Sequence, residues 1–206
     1  MQIFDGRAHS LQLDQQIKIF LESHPQRKGE KAPKLGIVVI GNDQASQAYV
    51  GLKRKFCATL DIPLQEQIID ENLSDNHIFD QVQEFVEKAN ISGLIVQLPL
   101  PRKSLEPVLG LIPIEKDLDL LSPESKRRFY AGEFKRIPPT VRAFDYFLDF
   151  VGREEFGDKE NNFSIGVVGF GDLVGRPVAH FATMSGHSVE VIGCYRDQRR
   201  LDYQVL

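Results

Sequence analysis

The segment GLIVQLPLP, residues 93–101, constrains the fold of this chain more than any other. Its first four residues are continuously apolar, as in a parallel strand that is buried on both faces. Proline lacks the N–H that a central strand donates, so Pro99 and Pro101 force the chain out of the sheet just after Gln97. Because ligands bind at the carboxyl ends of strands in open α/β sheets, we expect Gln97 at a ligand-binding edge.

Strand and helix patterns alternate along the rest of the chain, which predicts the α/β class. The β-branched and apolar runs predict strands at 34–40, 63–69, 93–96, 164–168 and 188–192. The apolar periodicity predicts helices at 45–60, 74–89, 104–111, 140–151 and 173–185. Ser74 is the expected N-cap of the second helix. The polar stretch 152–162 is the candidate hinge between two domains.

Composition narrows the classes of partner and the cellular setting. The 25 Lys and Arg against 29 Asp and Glu give a net charge of -4, which provides no general attraction to nucleic acid or to an anionic membrane. Cys57 and Cys194 lie far apart without metal-ligand spacing, which indicates neither a disulfide framework nor a metal site. The first ten residues lack a signal-peptide pattern, and no apolar run approaches the ~20 residues of a membrane span. We therefore expect a soluble cytoplasmic protein.

Tyr49 and Lys53 lie four residues apart in the helical pattern that follows the first strand. That spacing puts both side chains on one helix face, about one turn apart. A phenol and an ammonium that converge at the carboxyl end of a strand can bind a substrate and exchange a proton with it. An ordinary amphipathic helix gives the same spacing, with the lysine stem along the surface and the tyrosine packed. Spacing alone leaves both interpretations open.

Two further segments carry polar groups suited to a ligand. Gln97 can donate and accept through one amide, and it can so orient a lysine and a polar substrate together. A loop glutamine with its hydrogen bonds satisfied would look the same in sequence. In KDLD, residues 116–119, a carboxylate can accept paired hydrogen bonds from an amidine-like edge. A charged surface loop is the alternative for that segment.

The segment GFGDLVG, residues 169–175, lies between a predicted strand and a predicted helix. Glycines in such a connection permit a tight turn and let backbone N–H groups approach a pyrophosphate. The G-x-G-x-x-x-G spacing is one residue longer than the usual dinucleotide fingerprint, and a plain strand–turn–helix connection is the alternative. Asp172 would repel a phosphate, so we expect its side chain to point away.

Taken in order, these segments resemble the tetrahydrofolate dehydrogenase/cyclohydrolase family from about residue 33 to residue 192. GNDQASQAYVGLK (41–53) is similar to the family's first signature, and GLIVQLPLP is similar to its second. KDLD follows at the expected distance, PPT (138–140) resembles the segment entering the linker, and GFGDLVGRP (169–177) resembles the nucleotide loop more loosely. The resemblance implies a two-domain α/β protein. A folate-binding catalytic α/β sheet domain would span 1–139, and a partial Rossmann-type NAD(P)-binding domain would span 140–206.

The resemblance also implies two consecutive reactions of one-carbon metabolism and purine biosynthesis. 5,10-Methylenetetrahydrofolate is oxidised with NAD(P) to the methenyl cation, which water converts to 10-formyltetrahydrofolate. The implied catalytic residues are Lys53 as the acid–base group, Tyr49 stacked on the folate and Gln97 orienting Lys53. The substrate set adds Leu98, Pro99 and Asp119, the last as anchor of the pterin. The cofactor set is Gly169, Phe170, Gly171, Asp172, Gly175, Arg176 and Pro177. NADP is the expected cofactor with NAD as second candidate, and a homodimer is the expected assembly.

Three departures from the family pattern bear on activity. Phe170-Gly171 stand where the family has Arg-Ser, whose arginine is associated with the 2′-phosphate of NADP; Arg196, Arg199 and Arg200 could supply a replacement charge. Leu120 stands at a family glycine, and PPTV (138–141) stands where the family has Pro-Cys-Thr-Pro. The sequence ends at Leu206, soon after the second strand of the nucleotide domain, so we interpret the chain as shortened at its C-terminus. The alternative functions are cyclohydrolase activity alone and a non-catalytic folate- or nucleotide-binding remnant.

Overall fold

The computed structural model describes residues 3–24, 33–88, 90–156, 162–194 and 201–205. The chain divides into two compact units, Met1–Ser125 and Lys126–Leu206. Each unit contains a three-stranded sheet. The predicted two-domain α/β class is therefore confirmed.

The first unit is built on a fully parallel sheet of strand order β2-β1-β3. The strands are β1 (Leu35–Ile40), β2 (Leu64–Ile69) and β3 (Gly93–Val96). The helices are α1 (Gly6–Ser23), α2 (Gln44–Thr59) and α3 (Asp75–Lys88), followed by the 3₁₀ helix Lys103–Leu111. Because all three strands are parallel, the segments that follow them emerge at the same edge of the sheet.

Both faces of the central strand are buried, as the continuous apolar run predicts. Val38 and Ile40 face a core that includes Ile78, Val82 and Phe85 of α3. Ile37 and Val39 face the other side, where they pack with Val50 of α2. Alternate residues of one strand therefore fix helices on opposite faces of the sheet. Helix α3 faces this core with Ile78, Val82 and Phe85 and with the half-buried Phe79 and Val86.

The second unit contains one parallel and one antiparallel strand pair. After α4 (Pro123–Tyr130), which crosses the division between the units, come α5 (Pro139–Phe156), β4 (Ser164–Val168), α6 (Gly175–Met184), β5 (Ser188–Cys194) and β6 (Leu201–Val205). The strand order is β4-β5-β6, with β4 parallel to β5 and β6 antiparallel to β5. The β4–α6–β5 unit has the topology expected of the start of a dinucleotide-binding sheet.

Two predictions about domain organisation, the hinge at 152–162 and the domain boundary after residue 139, can be compared with the structure. Helix α5 continues through Gly152 to Phe156, so a hinge over residues 152–156 is wrong, and residues 157–161 lie outside the described part. The predicted domain boundary between residues 139 and 140 falls inside the second unit. There Phe129 and Phe134 pack against His180 of α6. The boundary between a folate domain and a nucleotide domain stays a prediction.

Candidate active site

Lys53 and Gln97 are joined by a hydrogen bond at the carboxyl edge of the first sheet. The ammonium Nζ of Lys53 donates to Oε1 of Gln97 across 2.7 Å. Gln97 follows β3 directly, and its backbone N–H still donates to the carbonyl oxygen of Val38 on β1, at 2.9 Å. Its side chain is buried, with 9% of the residue exposed. The predicted pairing of these two residues, 44 positions apart in sequence, is present in the structure.

The carbonyl oxygen of Leu98 determines which way the Gln97 amide faces. Nε2 of Gln97 donates to that oxygen across 2.7 Å, which leaves Oε1 as the acceptor for Lys53. The hydroxyl of Ser46 donates to the same oxygen, at 3.3 Å. The Leu98–Pro99 peptide bond is cis. The carbonyl oxygen of Leu98 thus accepts from two side chains. Because Nε2 of Gln97 donates to this oxygen, the amide oxygen Oε1 faces Lys53.

Helix α2 brings Ser46, in its first turn, and Lys53, further along the helix, to this edge. Asp43 is the N-cap of the helix, and its carboxylate accepts from the backbone N–H of Ser46 at 2.8 Å. Ser46 is 3% exposed and lies on the same helix as Val50, which anchors α2 to the sheet. Tyr49 lies one turn before Lys53 and has 60% of its surface exposed. Its ring is therefore available to a ligand, whereas Lys53 is half-buried against Gln97.

The segment 116–119 contains two carboxylates, those of Asp117 and Asp119, which lie in different environments. Asp117 is 1% exposed and accepts from the backbone N–H groups of Leu121 and Ser122, at 3.1 and 2.9 Å. Asp119 is half-buried, and this burial raises the pKa of its carboxyl. The charge of Lys53 acts in the opposite direction, and that of Asp117 adds to the increase. Asp117 therefore shapes the loop, and Asp119 is left as the carboxylate available to a ligand.

Leu120 retains the backbone of a glycine position. Its φ is +53°, in the left-handed region that most residues avoid, and 7% of the residue is exposed. At the position where the family pattern has glycine, Leu120 therefore adopts a backbone conformation that favours glycine and places a buried side chain in the loop.

The glycine-rich loop lies between β4 and α6 in the second unit. Gly169 has a φ of +90°, and its N–H donates to the carbonyl oxygen of Ile192 on β5 at 2.8 Å. A Cβ on Gly169 or Gly171 would meet no atom within 4 Å, so open space adjoins both residues. Gly175 and Pro177 are buried at the start of α6. Backbone approach by a phosphate group is thus sterically open at the position that the sequence indicates, and the loop fits a dinucleotide.

Arg176 is engaged by two neighbours in the same loop. Its guanidinium pairs with Asp172 at 2.7 Å and lies over the ring of Phe170, 5.2 Å from the centroid. The side chain of Asp172 is 69% exposed, in line with the expectation that it points into solvent. Arg196, Arg199 and Arg200, the proposed replacement charges, lie outside the described residues.

Two functional features were missed in the sequence. The hydroxyl of Ser46 contributes through a contact 52 residues away, and its place in the first signature was the only available signal. Arg102 makes contacts with residues 71–75 that no local pattern indicates. In the described part of the chain, no group of three or more His, Cys, Asp or Glu could hold a metal ion. No helix there is both long and apolar enough to cross a bilayer.

Comparisons with known proteins agree with this site. Residues 4–119 match the family model for the tetrahydrofolate dehydrogenase/cyclohydrolase catalytic domain. The chain is 27% identical over 196 residues to the bifunctional protein FolD of Clostridium botulinum, which covers 92% of this chain and 66% of that protein. The chain therefore spans about two thirds of the length of the relatives that it matches.

Solved structures extend the likeness to the fold of most of the chain. The bifunctional enzyme FolD of Campylobacter jejuni superposes with a TM-score of 0.78 at 26% identity, covering 97% of this chain and 68% of that one. The FolD of Trypanosoma brucei, solved with NADP and an inhibitor, has a TM-score of 0.79 at 26% identity, with coverages of 93% and 64%. The fold is thus shared over most of the chain.

Proposed function

Since the chain belongs to the tetrahydrofolate dehydrogenase/cyclohydrolase family, we propose that it converts 5,10-methylenetetrahydrofolate to 10-formyltetrahydrofolate through the methenyl cation. The observation that carries the proposal is the 2.7 Å hydrogen bond from Lys53 to Gln97 at the carboxyl edge of the first sheet. A lysine held there by a neutral amide keeps both its position and its ability to give or take a proton.

The hydrolytic step uses side chains of the first unit alone. Water adds to the methenyl carbon and loses both of its protons as the formyl C=O forms; one proton goes to the ring nitrogen as its bond to that carbon breaks, and the other is released to solvent. Lys53 Nζ transfers one proton from the water to the ring nitrogen, and Gln97 holds the Lys53 side chain in position for this transfer. Tyr49 offers an exposed ring for stacking, and Leu98 and Pro99 form the wall after β3. Asp119 accepts the paired N–H groups of the pterin.

The oxidative step also requires a dinucleotide, for which the loop 169–177 supplies the binding residues. Gly169 and Gly171 leave the backbone accessible, Gly175 lets the loop pack closely at the start of α6, and the other proposed cofactor residues of this segment are Phe170, Asp172, Arg176 and Pro177. A dinucleotide held by these residues would supply the acceptor for the hydride that leaves the methylene carbon. NADP is the proposed cofactor because a related enzyme was solved with it, and NAD is the second candidate.

A cyclohydrolase without dehydrogenase activity is the second candidate function. All of the hydrolytic residues lie within Met1–Ser125, and the departures at Phe170 and Gly171 lie in the other unit. One-carbon metabolism with a role in purine biosynthesis, a cytoplasmic setting and a homodimer complete the proposal. Nucleic acid and membranes are not among the proposed partners, in line with the net charge of -4.

The proposal is tested by two absorbance assays on the purified chain. One follows the loss of methenyltetrahydrofolate, and the other follows dinucleotide reduction with methylenetetrahydrofolate. Lys53→Met should abolish both the hydrolysis of methenyltetrahydrofolate and the overall conversion of methylenetetrahydrofolate. Lys55→Met, which replaces an exposed lysine two residues further along α2, should leave both activities intact. Hydrolysis without reduction would select the cyclohydrolase. If both traces equal buffer while folate still binds, the chain is a non-catalytic binding remnant.

A further inference from the structure

Arg102 connects the segments that leave the two outer strands of the first sheet, β2 and β3. It follows β3 by six residues, and its guanidinium contacts the segment between β2 and α3 through three acceptors. Nη1 donates to the carbonyl oxygen of Glu71 at 2.5 Å, Nη2 donates to that of Leu73 at 2.8 Å, and Nε donates to Asp75 Oδ1 at 2.7 Å. A planar guanidinium directs its N–H donors along fixed directions from three nitrogen atoms, so it can reach three separated acceptors, whereas an ammonium offers its three donors from one atom.

Asp75 completes the connection from the other side. It is the first residue of α3, and its carboxylate accepts from Ser104 as well as from Arg102. Both contacts, that with Ser104 being the larger, lower the pKa of this carboxyl, so it stays ionised and paired at neutral pH. Only about a third of the Arg102 side chain is exposed, at 36%. The chain at Arg102 and at Ser104 is thus tied to the start of α3.

The segment that Arg102 holds in place is the one that follows β3 and begins with Gln97. Between Gln97 and Arg102 the chain contains Pro99 and Pro101, whose fixed φ angles make a short, stiff connection. The segment after β2 also adjoins the segment after β1, because the N–H of Gly41 donates to the carbonyl oxygen of Ile69 at 2.9 Å and the Glu71 carboxylate lies next to Gly41. Arg102 therefore joins the segment after β3 to a segment that is itself in contact with the one after β1.

We propose that Arg102 is a positioning residue for the Lys53 site: it fastens the segment after β3 to the segment after β2 and so holds the Gln97 amide in the orientation that accepts from Lys53. The inference rests on the proposed function only in its kinetic consequence. The effect on the Gln97 side chain is expected whether or not the chain turns over substrate.

The experiment combines NMR of the Gln97 side-chain amide with steady-state kinetics of methenyl hydrolysis on the full chain. Arg102→Ala removes all three contacts, and Arg102→Lys keeps the charge but not the planar set of donors. Arg54→Ala is the matched control, because Arg54 makes a comparable two-bond ion pair with Glu66 in the same unit. Guanidinium ion at low millimolar concentration is added to Arg102→Ala as chemical rescue.

In the wild-type protein, the hydrogen bond to Leu98 should disperse the two Gln97 Nε2 proton signals and slow their exchange with solvent. Arg102→Ala should bring these signals together and speed the exchange, with Arg102→Lys between the two. The kcat should fall about tenfold or more with KM changed less than about threefold, since a misplaced catalytic group weakens transition-state contacts most. Guanidinium should restore part of both effects, and Arg54→Ala should reproduce neither.

The inference is overturned if folded Arg102→Ala keeps the wild-type Gln97 signals, even when its resistance to denaturant is reduced. Arg102 would then stabilise the fold only. If the wild-type chain shows no hydrolysis, the proposed function fails, and the NMR comparison alone decides the role of Arg102. A loss of kcat in Arg102→Ala with unchanged Gln97 signals would also reject the mechanism.

Discussion

A Cβ placed on Gly175 would lie 2.0 Å from the carbonyl oxygen of Gly169. Glycine is therefore required at the start of α6 by the loop's own backbone, before any cofactor is considered. Gly171, in the same loop, has open space where its Cβ would be. The two glycines thus serve different purposes, packing in one case and access in the other.

This difference predicts separate outcomes for two alanine substitutions. Gly175→Ala should destabilise the second unit by about 1–3 kcal/mol, because the new methyl group overlaps backbone that cannot rotate away. Gly171→Ala should leave stability nearly unchanged and weaken dinucleotide binding, since the methyl group occupies the space open to a phosphate. Thermal unfolding and cofactor titration of both variants check this. Equal stability losses would mean that the loop is packed alike at both positions.

Leu120 gives a prediction that depends on its positive φ. Leu120→Ala loses the buried side chain, at about 2–5 kcal/mol, and keeps a backbone angle that alanine disfavours. Leu120→Gly loses the same side chain but relieves the angle, so it should be the more stable of the two by up to about 1 kcal/mol. Urea unfolding measures the order. A more stable alanine variant would contradict the left-handed conformation at this residue.

Asp119 should reduce stability at neutral pH, in keeping with a role in binding rather than folding. Burial, the largest cause, raises its pKa above 3.8, so the folded protein holds this proton to a higher pH than the unfolded chain does. Stability from this group is present below the unfolded pKa and is lost as pH rises through the folded pKa. Asp119→Asn should therefore be more stable than the wild type at pH 7, and the two should converge in acid.

The same substitution should weaken folate binding, because an asparagine amide cannot accept two hydrogen bonds from the pterin edge. Denaturant unfolding at a series of pH values, paired with folate titration at pH 7, separates the two effects. A variant that loses both stability and affinity at neutral pH would indicate that Asp119 is a structural residue.

Asp75 should have the opposite dependence on pH. Its pKa is lowered from 3.8, first by the hydrogen bond from Ser104 and then by Arg102. The ionised carboxylate therefore stabilises the fold above the unfolded pKa, and this contribution is lost as pH falls through the folded pKa. Asp75→Asn should be less stable than the wild type at pH 7 and equal to it in strong acid. Asp80→Asn, an exposed carboxylate on the same helix, is the control and should show no such convergence.

Local sequence patterns predicted most elements of both sheets, because strand and helix periodicity is determined by which residues face the core. The predicted strand 93–96 agrees with β3 at both ends, and that at 164–168 agrees with β4. Helix α1 was not predicted, and none of its residues is buried, so it has no apolar face directed at a core to create a pattern. Strand β6 was missed as well, in a tail whose charged residues obscure alternation.

The site was predictable where one residue type at one position carries the chemistry, as for Lys53 and Gln97. It was not predictable where a side chain acts through a distant partner. Ser46 contacts the carbonyl oxygen of Leu98, and Asp117 binds the N–H groups of Leu121 and Ser122. These bonds depend on how loops from separate strands meet, which a linear pattern does not contain.

The segment that carries Asp119 also covers the outer edge of β3. The N–H of Leu94 donates to the carbonyl oxygen of Lys116 at 2.7 Å, and the N–H of Leu118 donates back to that of Leu94 at 3.4 Å. An uncovered strand edge is a template on which other chains can add and aggregate. Loosening residues 116–118 would thus expose an unpaired strand edge and also displace Asp119, the proposed pterin anchor. One such change would then cause both aggregation and loss of binding, so a fall in solubility would indicate that the site is disturbed.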